Sequence, residues 1–162
     1  MAKQNRIFAY TDGSTQHNPG IGGYAAVMVD WNKENILHTY SEFIDITTNN
    51  QVELLATIYS VEWFLKNYTE EDSYLVVMSD SKYCTLGYNN RMDYWSTVNW
   101  KNVKGKNIKN LYLWQQLYDL KRKAGDRVFF QWIKGHSGDE FNDQADEMCR
   151  NEWQRWLKRN KD

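Results

Sequence analysis

The hydrophobic period of this chain switches at Thr48, and that switch constrains its architecture more than any other feature. Ahead of it, residues 6–11 alternate, with Ile7, Ala9 and Thr11 on one side and Phe8 and Tyr10 on the other. That is the two-residue period of a strand. Residues 22–30 and 37–43 are further strand candidates, and the short polar link Asn32-Lys33-Glu34-Asn35 between them predicts an antiparallel hairpin. Asn18-Pro19-Gly20 reads as a turn in which proline fixes one central residue and glycine takes a positive φ at the next. After the switch, Thr48 followed three residues later by Gln51 matches a capping box, and Leu54, Leu55, Ile58, Val61 and Leu65 form a helical stripe to about Lys66. A short apolar strand over 73–78, a brief helix over 81–87, a helix over 111–121, a strand over 128–133 and a last amphipathic helix over 139–158 complete the reading. Three strands followed by alternating helix and strand predict an α/β layered fold with a mixed sheet.

At 162 residues, with no internal repeat, low-complexity tract or linker, one domain over 1–162 is expected. Its core should cover about 6–150, with a C-terminal helix extension over 151–162. Twenty Lys and Arg against 21 Asp and Glu leave a net charge of -1, which excludes a uniformly basic nucleic-acid binder but not a local basic patch. The longest mostly apolar run, 21–29, has nine residues and cannot cross a bilayer. Residues 1–5 lack the apolar centre of a secretory leader. Cys84 and Cys149 are isolated thiols with no CxxC spacing, as expected of a reduced, cytoplasmic protein.

Acidic residues stand where strands and helices end. Asp12 closes the first strand and Asp80 the strand at 73–78, and neighbouring parallel strands deliver such residues to one sheet edge, where ligands bind. Glu53 lies in the first turns of the first long helix, about 120° from the centre of its apolar stripe, and Asp146 lies in the last helix beside Asp143 and Glu147. Brought together, four carboxylates would repel one another unless divalent cations were present. Oxygen ligands without a Cys/His set suit Mg²⁺ or Mn²⁺ and not zinc. Each acid also has a plainer reading: Asp80 before Ser81 can cap the short helix, and Glu53 can be one solvated residue among many.

The ordered set Tyr10-Thr11-Asp12-Gly13-Ser14, Asn18-Pro19-Gly20, Thr47-Thr48-Asn49-Asn50-Gln51-Val52-Glu53-Leu54, Ser79-Asp80-Ser81, Trp132-Ile133-Lys134-Gly135-His136-Ser137-Gly138 and Asn142-Asp143-Gln144-Ala145-Asp146-Glu147 resembles the type 1 ribonuclease H family over residues 7–150. The resemblance implies a ribonuclease H-like three-layer fold: a five-stranded mixed sheet, three antiparallel strands then two parallel ones, with helices on both faces. It implies an endonuclease that hydrolyses the RNA strand of RNA–DNA hybrids with two metal ions, Mg²⁺ with Mn²⁺ possible, leaving 5′-phosphate and 3′-hydroxyl ends. Asp12, Glu53, Asp80 and Asp146 map onto the metal ligands, with Asp12 shared, Glu53 and Asp80 completing one position and Asp146 the other. His136 maps onto a loop histidine that moves a proton, a task suited to imidazole. His17 and His38 read as surface histidines.

Hybrid recognition requires sensing a 2′-hydroxyl through the minor groove. By the resemblance, Asn18, Asn49 and Asn50 make those contacts, while Thr48 and Asn110 hold a phosphate of the DNA strand near a helix N-terminus. Lys82 and Gln51 occupy positions that vary in the family. Residues 94–118 contain no Asp or Glu and carry Lys101, Lys104, Lys106 and Lys109 beside Trp95 and Trp100. This segment resembles the basic protrusion of bacterial members, where lysines neutralise phosphates and indoles pack on sugars. Arg91 stands where bacterial members often place another tryptophan. The resemblance also implies a monomer. The same motif order occurs in the nuclease domains of reverse transcriptases; the starting Met1 and the full motif set favour a free-standing enzyme. A catalytically dead hybrid-binding module would gain nothing from an uncompensated acidic cluster.

Overall fold

The computed structural model describes residues 5–161; residues 1–4, where part of the leader reading falls, and residue 162 lie outside it. Five strands, β1 (Arg6–Thr15), β2 (Gly20–Asp30), β3 (Ile36–Thr47), β4 (Tyr74–Ser79) and β5 (Val128–Trp132), form one sheet in the order β3-β2-β1-β4-β5. β1 pairs antiparallel with β2 and β2 with β3, whereas β4 runs parallel to both β1 and β5. The expected three-antiparallel, two-parallel sheet is thus present.

Alternation along β1 sends residues to two different cores. Ile7 and Ala9 join Leu75, Val77, Val128 and Phe130 beneath α1 (Asn49–Asn67) and α4 (Leu111–Ala124). Tyr10 packs on the other face with Val27, Met78, Phe141 and Ala145 beneath α5 (Glu140–Arg159). The α1 cap forms as read: Thr48 Oγ1 accepts from Gln51 N at 3.2 Å, and Gln51 Oε1 accepts from Thr48 N at 3.2 Å. The β2–β3 hairpin is held by Asp30, whose carboxylate accepts from Glu34 N, Asn35 N and Asn35 Nδ2.

Two glycines act differently from their sequence reading. Gly20 is already the first residue of β2 and has no positive φ; glycine is needed because a Cβ would lie 2.7 Å from His17 O. Gly87 does not end the helix that begins after Ser81. The chain passes from α2 (Lys82–Leu86) through one π-helical turn, Gly87–Arg91, into α3 (Met92–Thr97). A Cβ at Gly87 would overlap the indole of Trp114, so this glycine makes room for a core ring. Such π turns often accompany functional sites. α5 continues unbroken past residue 150: Trp156 stacks on Phe43 at 5.6 Å, and Trp153 Nε1 donates to Ser14 Oγ at 3.1 Å. Its last turns therefore pack on the sheet instead of standing free. Among the described residues, no helix is long and apolar enough to cross a membrane.

Candidate active site

Asp12 does not close β1 as the sequence reading has it: the strand runs on to Thr15, because β2 continues to pair with it, and Asp12 stands opposite Ala25. It is β4 that ends here, and parallel pairing of Thr11 with Ser79 sets Asp12 and Asp80 side by side at that end. Asp12 is buried, and its Oδ1 accepts from Gly13 N at 2.9 Å. Asp80 is not the cap of α2. Ser81 takes that role, its Oγ accepting from Cys84 N at 3.1 Å, which leaves the Asp80 carboxylate free for the cleft. Glu53 projects from the first turns of α1 to the same place.

Carboxylate oxygens of Asp12, Glu53 and Asp80 lie within 4.8 Å of one another. Asp12 also belongs to a second such group with Asp146 of α5 and the Cys149 thiol beneath it. Asp146 is distinguished from the other three acids by an ion pair. Its Oδ2 accepts from Arg150 Nη2 at 3.0 Å and Nε at 3.2 Å, one helical turn along. His136 sits at φ 56° in the β5–α5 loop. The loop approaches the acids so closely that a Cβ on Gly135 would lie 2.7 Å from Asp80 Oδ2. All five residues line one open cleft of about 330 Å³, together with Ser14, Asn49 and Asn50.

The electrostatics follow from burial and like charge. Desolvation, reinforced by Asp80, pushes the Asp12 carboxyl up to about 8. Glu53 is raised well above the ordinary carboxylate range by its own burial and then by Asp12 and Asp80. Asp80 is raised chiefly by burial, with Asp146 adding repulsion and His136 relieving it. Hard oxygen donors with no basic partner inside the Asp12–Glu53–Asp80 group fit a divalent cation. The buried Cys149 thiol is pushed far up by desolvation and is not a ligand for such an ion.

A second cleft, about 580 Å³, adjoins the first and shares Asn49 and Asn50 with it. Asn18, Thr48, Lys109 and Asn110 line it, so the residues expected at the minor groove and at the DNA-strand phosphate are neighbours in space. Asn18 Oδ1 accepts from Asn49 N at 3.1 Å, and Asn49 Oδ1 accepts from Thr15 Oγ1 at 2.5 Å. The two contacts tie the turn before β2 and the end of β1 to the start of α1.

Beyond α3 the basic segment closes on itself. Lys101 pairs with Asn107 in an antiparallel bridge and donates Nζ to Asn107 Oδ1 at 2.6 Å. Lys104, Lys106 and Lys109 are exposed. Trp95 and Trp100 are half-buried. Trp95 lies edge-on to Trp114 at 5.3 Å, and Trp100 edge-on to Tyr118 at 5.5 Å. Only part of each indole remains for a ligand. Arg91 is exposed on the π-helical turn.

Some participants were missed from the sequence. Arg150 could have been found by its i,i+4 spacing from Asp146. Lys82 lies over the exposed Trp132 ring at 4.8 Å, while Trp132 Nε1 donates to Asp80 O at 3.0 Å; no local pattern announces that arrangement. His38 lies away from both clefts, with Nε2 2.6 Å from Tyr59 Oη and its ring stacked on Trp63 at 5.1 Å.

A carboxylate cluster at the C-terminal edge of two parallel strands, in a sheet ordered this way, defines an acidic centre of the kind that gathers hard cations. The family model described as RNase H matches residues 4–154. Proteins named Ribonuclease H from Francisella philomiragia and Francisella tularensis subsp. novicida are 37% and 39% identical over 149 and 147 residues. Those matches cover 92% and 91% of this chain and 91% and 90% of the relatives. The crystal structure of LC11-RNase H1 in complex with RNA/DNA hybrid superimposes with a TM-score of 0.71 at 26% identity, covering 93% of this chain and 99% of that one. This chain belongs to the ribonuclease H family.

Proposed function

We propose that the protein is an endonuclease that hydrolyses the RNA strand of RNA–DNA hybrids at the Asp12 cleft. The observation that carries this reading is the convergence of Asp12, Glu53 and Asp80 without a basic partner, with Asp146 reached through the shared Asp12. Asp12, Glu53 and Asp80 would hold one divalent cation and Asp12 with Asp146 a second, Mg²⁺ being the expected ion and Mn²⁺ an alternative. Bound there, two cations supply charge neutralisation at the scissile phosphate, an activated water and stabilisation of the departing 3′-oxygen.

The chain's own residues do the rest. Asp12 Oδ1 accepts from Gly13 N, which orients the carboxylate within the cleft. Asn18, Asn49 and Asn50 present amides along the route from one cleft to the other, where they can read 2′-hydroxyls of one strand. Thr48 and Asn110 cradle a phosphate of the DNA strand, and the lysines at 101, 104, 106 and 109 attract the same strand beyond it, with Trp95 and Trp100 beside them. His136, exposed at the mouth of the cleft, passes a proton between solvent and the reacting oxygens. The unbroken α5 and its packing on β3 support reading 1–162 as one domain. Two buried free thiols support a reducing, cytoplasmic setting, and a monomer is expected.

The test is cleavage of an end-labelled RNA–DNA hybrid in Mg²⁺ with Asp12→Asn alongside. Fragments ending in 3′-hydroxyl groups are expected from the wild type and none from the variant. An intact RNA strand in both Mg²⁺ and Mn²⁺ would refute the activity, and normal cutting by Asp12→Asn would refute the site.

A further inference from the structure

We propose that Gln51 and Tyr83 are positioning residues that fix the side-chain amide of Asn110, so that it offers an N–H and not a carbonyl to a phosphate of the DNA strand. This rests on the reading of the Thr48–Asn110 cleft given above. Asn110 is the N-cap of α4, at φ 58° and ψ 35°, yet its side chain makes no capping bond. It is engaged elsewhere.

The polarity of its contacts is set by groups that cannot reverse. The backbone N–H of Thr48 can only donate, so the end of the Gln51 amide that it meets is Oε1, which also accepts from Thr47 Oγ1 at 3.1 Å. Gln51 Nε2 is therefore turned to Asn110, and a donor at 3.2 Å demands the Asn110 oxygen, Oδ1. From the other side, the indole N–H of Trp114, also only a donor, meets Tyr83 Oη at 2.9 Å. Asn110 Nδ2 donates to the same phenol oxygen at 2.9 Å.

With Oδ1 taken by Gln51 and one Nδ2 hydrogen by Tyr83, the second Nδ2 hydrogen has no acceptor among the described residues. Asn110 lines the cleft beside Thr48 and Lys109. A free N–H there attracts a phosphate oxygen, whereas the flipped amide would present a lone pair and repel it. The capping box of α1 thus sets the polarity of a contact that the cap itself does not make.

Gln51→Glu separates this role from a structural one. Glutamate serves the same position of a capping box, but it puts an acceptor where Asn110 requires a donor. The expected result is a KM for the hybrid raised about tenfold, with kcat and the melting temperature unchanged. In an Asn110→Ala background the same substitution should add nothing. An equal KM rise in that background would mean that the new carboxylate repels the hybrid directly, and an unchanged KM in the single variant would mean that the bridge is idle. Either result overturns the proposal. Tyr83→Phe is the second arm and decides the matter if Gln51→Glu melts early. It should raise KM about threefold, and this rise too should vanish in Asn110→Ala. Should Asn110→Ala alone leave KM at the wild-type value, the phosphate cleft itself is refuted, an outcome distinct from failure of the bridge.

Discussion

Replacing Asp12 by Asn should make the cation-free protein more stable while abolishing its activity. Burial and the neighbouring acids lift the Asp12 carboxyl from 3.8 to about 8. Its folded-state pKa lies above its unfolded one, so the folded protein keeps a proton that the unfolded chain has released. Stability therefore falls as pH rises between about 4 and 8. At about 1.4 kcal/mol per pH unit, the ceiling on that loss is about 6 kcal/mol. Protons retained by Glu53, itself raised, relieve part of the repulsion and leave about 2–3 kcal/mol to be recovered by a neutral amide. In a chain of this size that is roughly 5–10 °C in Tm. Thermal unfolding followed by circular dichroism in excess chelator, at pH 5 and pH 8, reads it directly. Asp12→Asn should melt well above the wild type at pH 8 and close to it at pH 5, and added Mg²⁺ should narrow the pH 8 gap by stabilising the wild type alone. A gap of equal size at both pH values, or a variant that melts below the wild type at pH 8, would refute the picture of an uncompensated acidic centre.

Changing Lys101, Lys104, Lys106 and Lys109 together to Ala should raise the KM for hybrid and flatten its dependence on salt, by up to about 3.6 in the log–log slope if each lysine meets a phosphate; an unchanged slope in steady-state assays over a roughly fourfold range of salt rejects the patch. Arg150→Ala removes an ion pair in which the arginine is half-exposed and Asp146 mostly buried, and should cost about 1 kcal/mol in denaturant melts of the cation-free protein. A loss above about 2 kcal/mol would show that Asp146 is far less solvated than its surroundings indicate. Trp114→Ala empties the space that Gly87 leaves open and should cost about 3–5 kcal/mol in a urea titration.

The mixed α/β sheet was legible because alternation, capping and the change of period act locally or along single strands, whereas the gathering of all four acids followed from the family resemblance. The placement of Asp80 after β4 is enough to bring Asp12 beside it once parallel pairing is granted. Asp80 illustrates the limit: as a cap or as a ligand it looks the same in sequence, and only the bond from Cys84 N to Ser81 decides which neighbour caps α2. Gly87 read as a helix end because a glycine that accommodates a distant ring cannot be told from one that stops a helix. Gln51 was recognisable as a cap, but its hold on Asn110 spans 59 residues of sequence and depends on how α4 docks. The tail beyond residue 150 read only as a helix extension, with nothing local to say what it packs on; Phe43 and Ser14, from two separate strands, supply the partners.

Trp114 touches more of this protein's business than a core residue ordinarily would. One side fills the gap over Gly87, an edge meets Trp95 of the basic segment, and the indole N–H leads through Tyr83 to Asn110. If the proposed phosphate contact of Asn110 holds, folding and substrate affinity both depend on this single position. A ring of equal volume without the indole N–H would leave the Tyr83 oxygen short of one of its two donors. A larger residue at Gly87 can refill the space left by a Trp114 variant, but it cannot supply the lost donor to Tyr83.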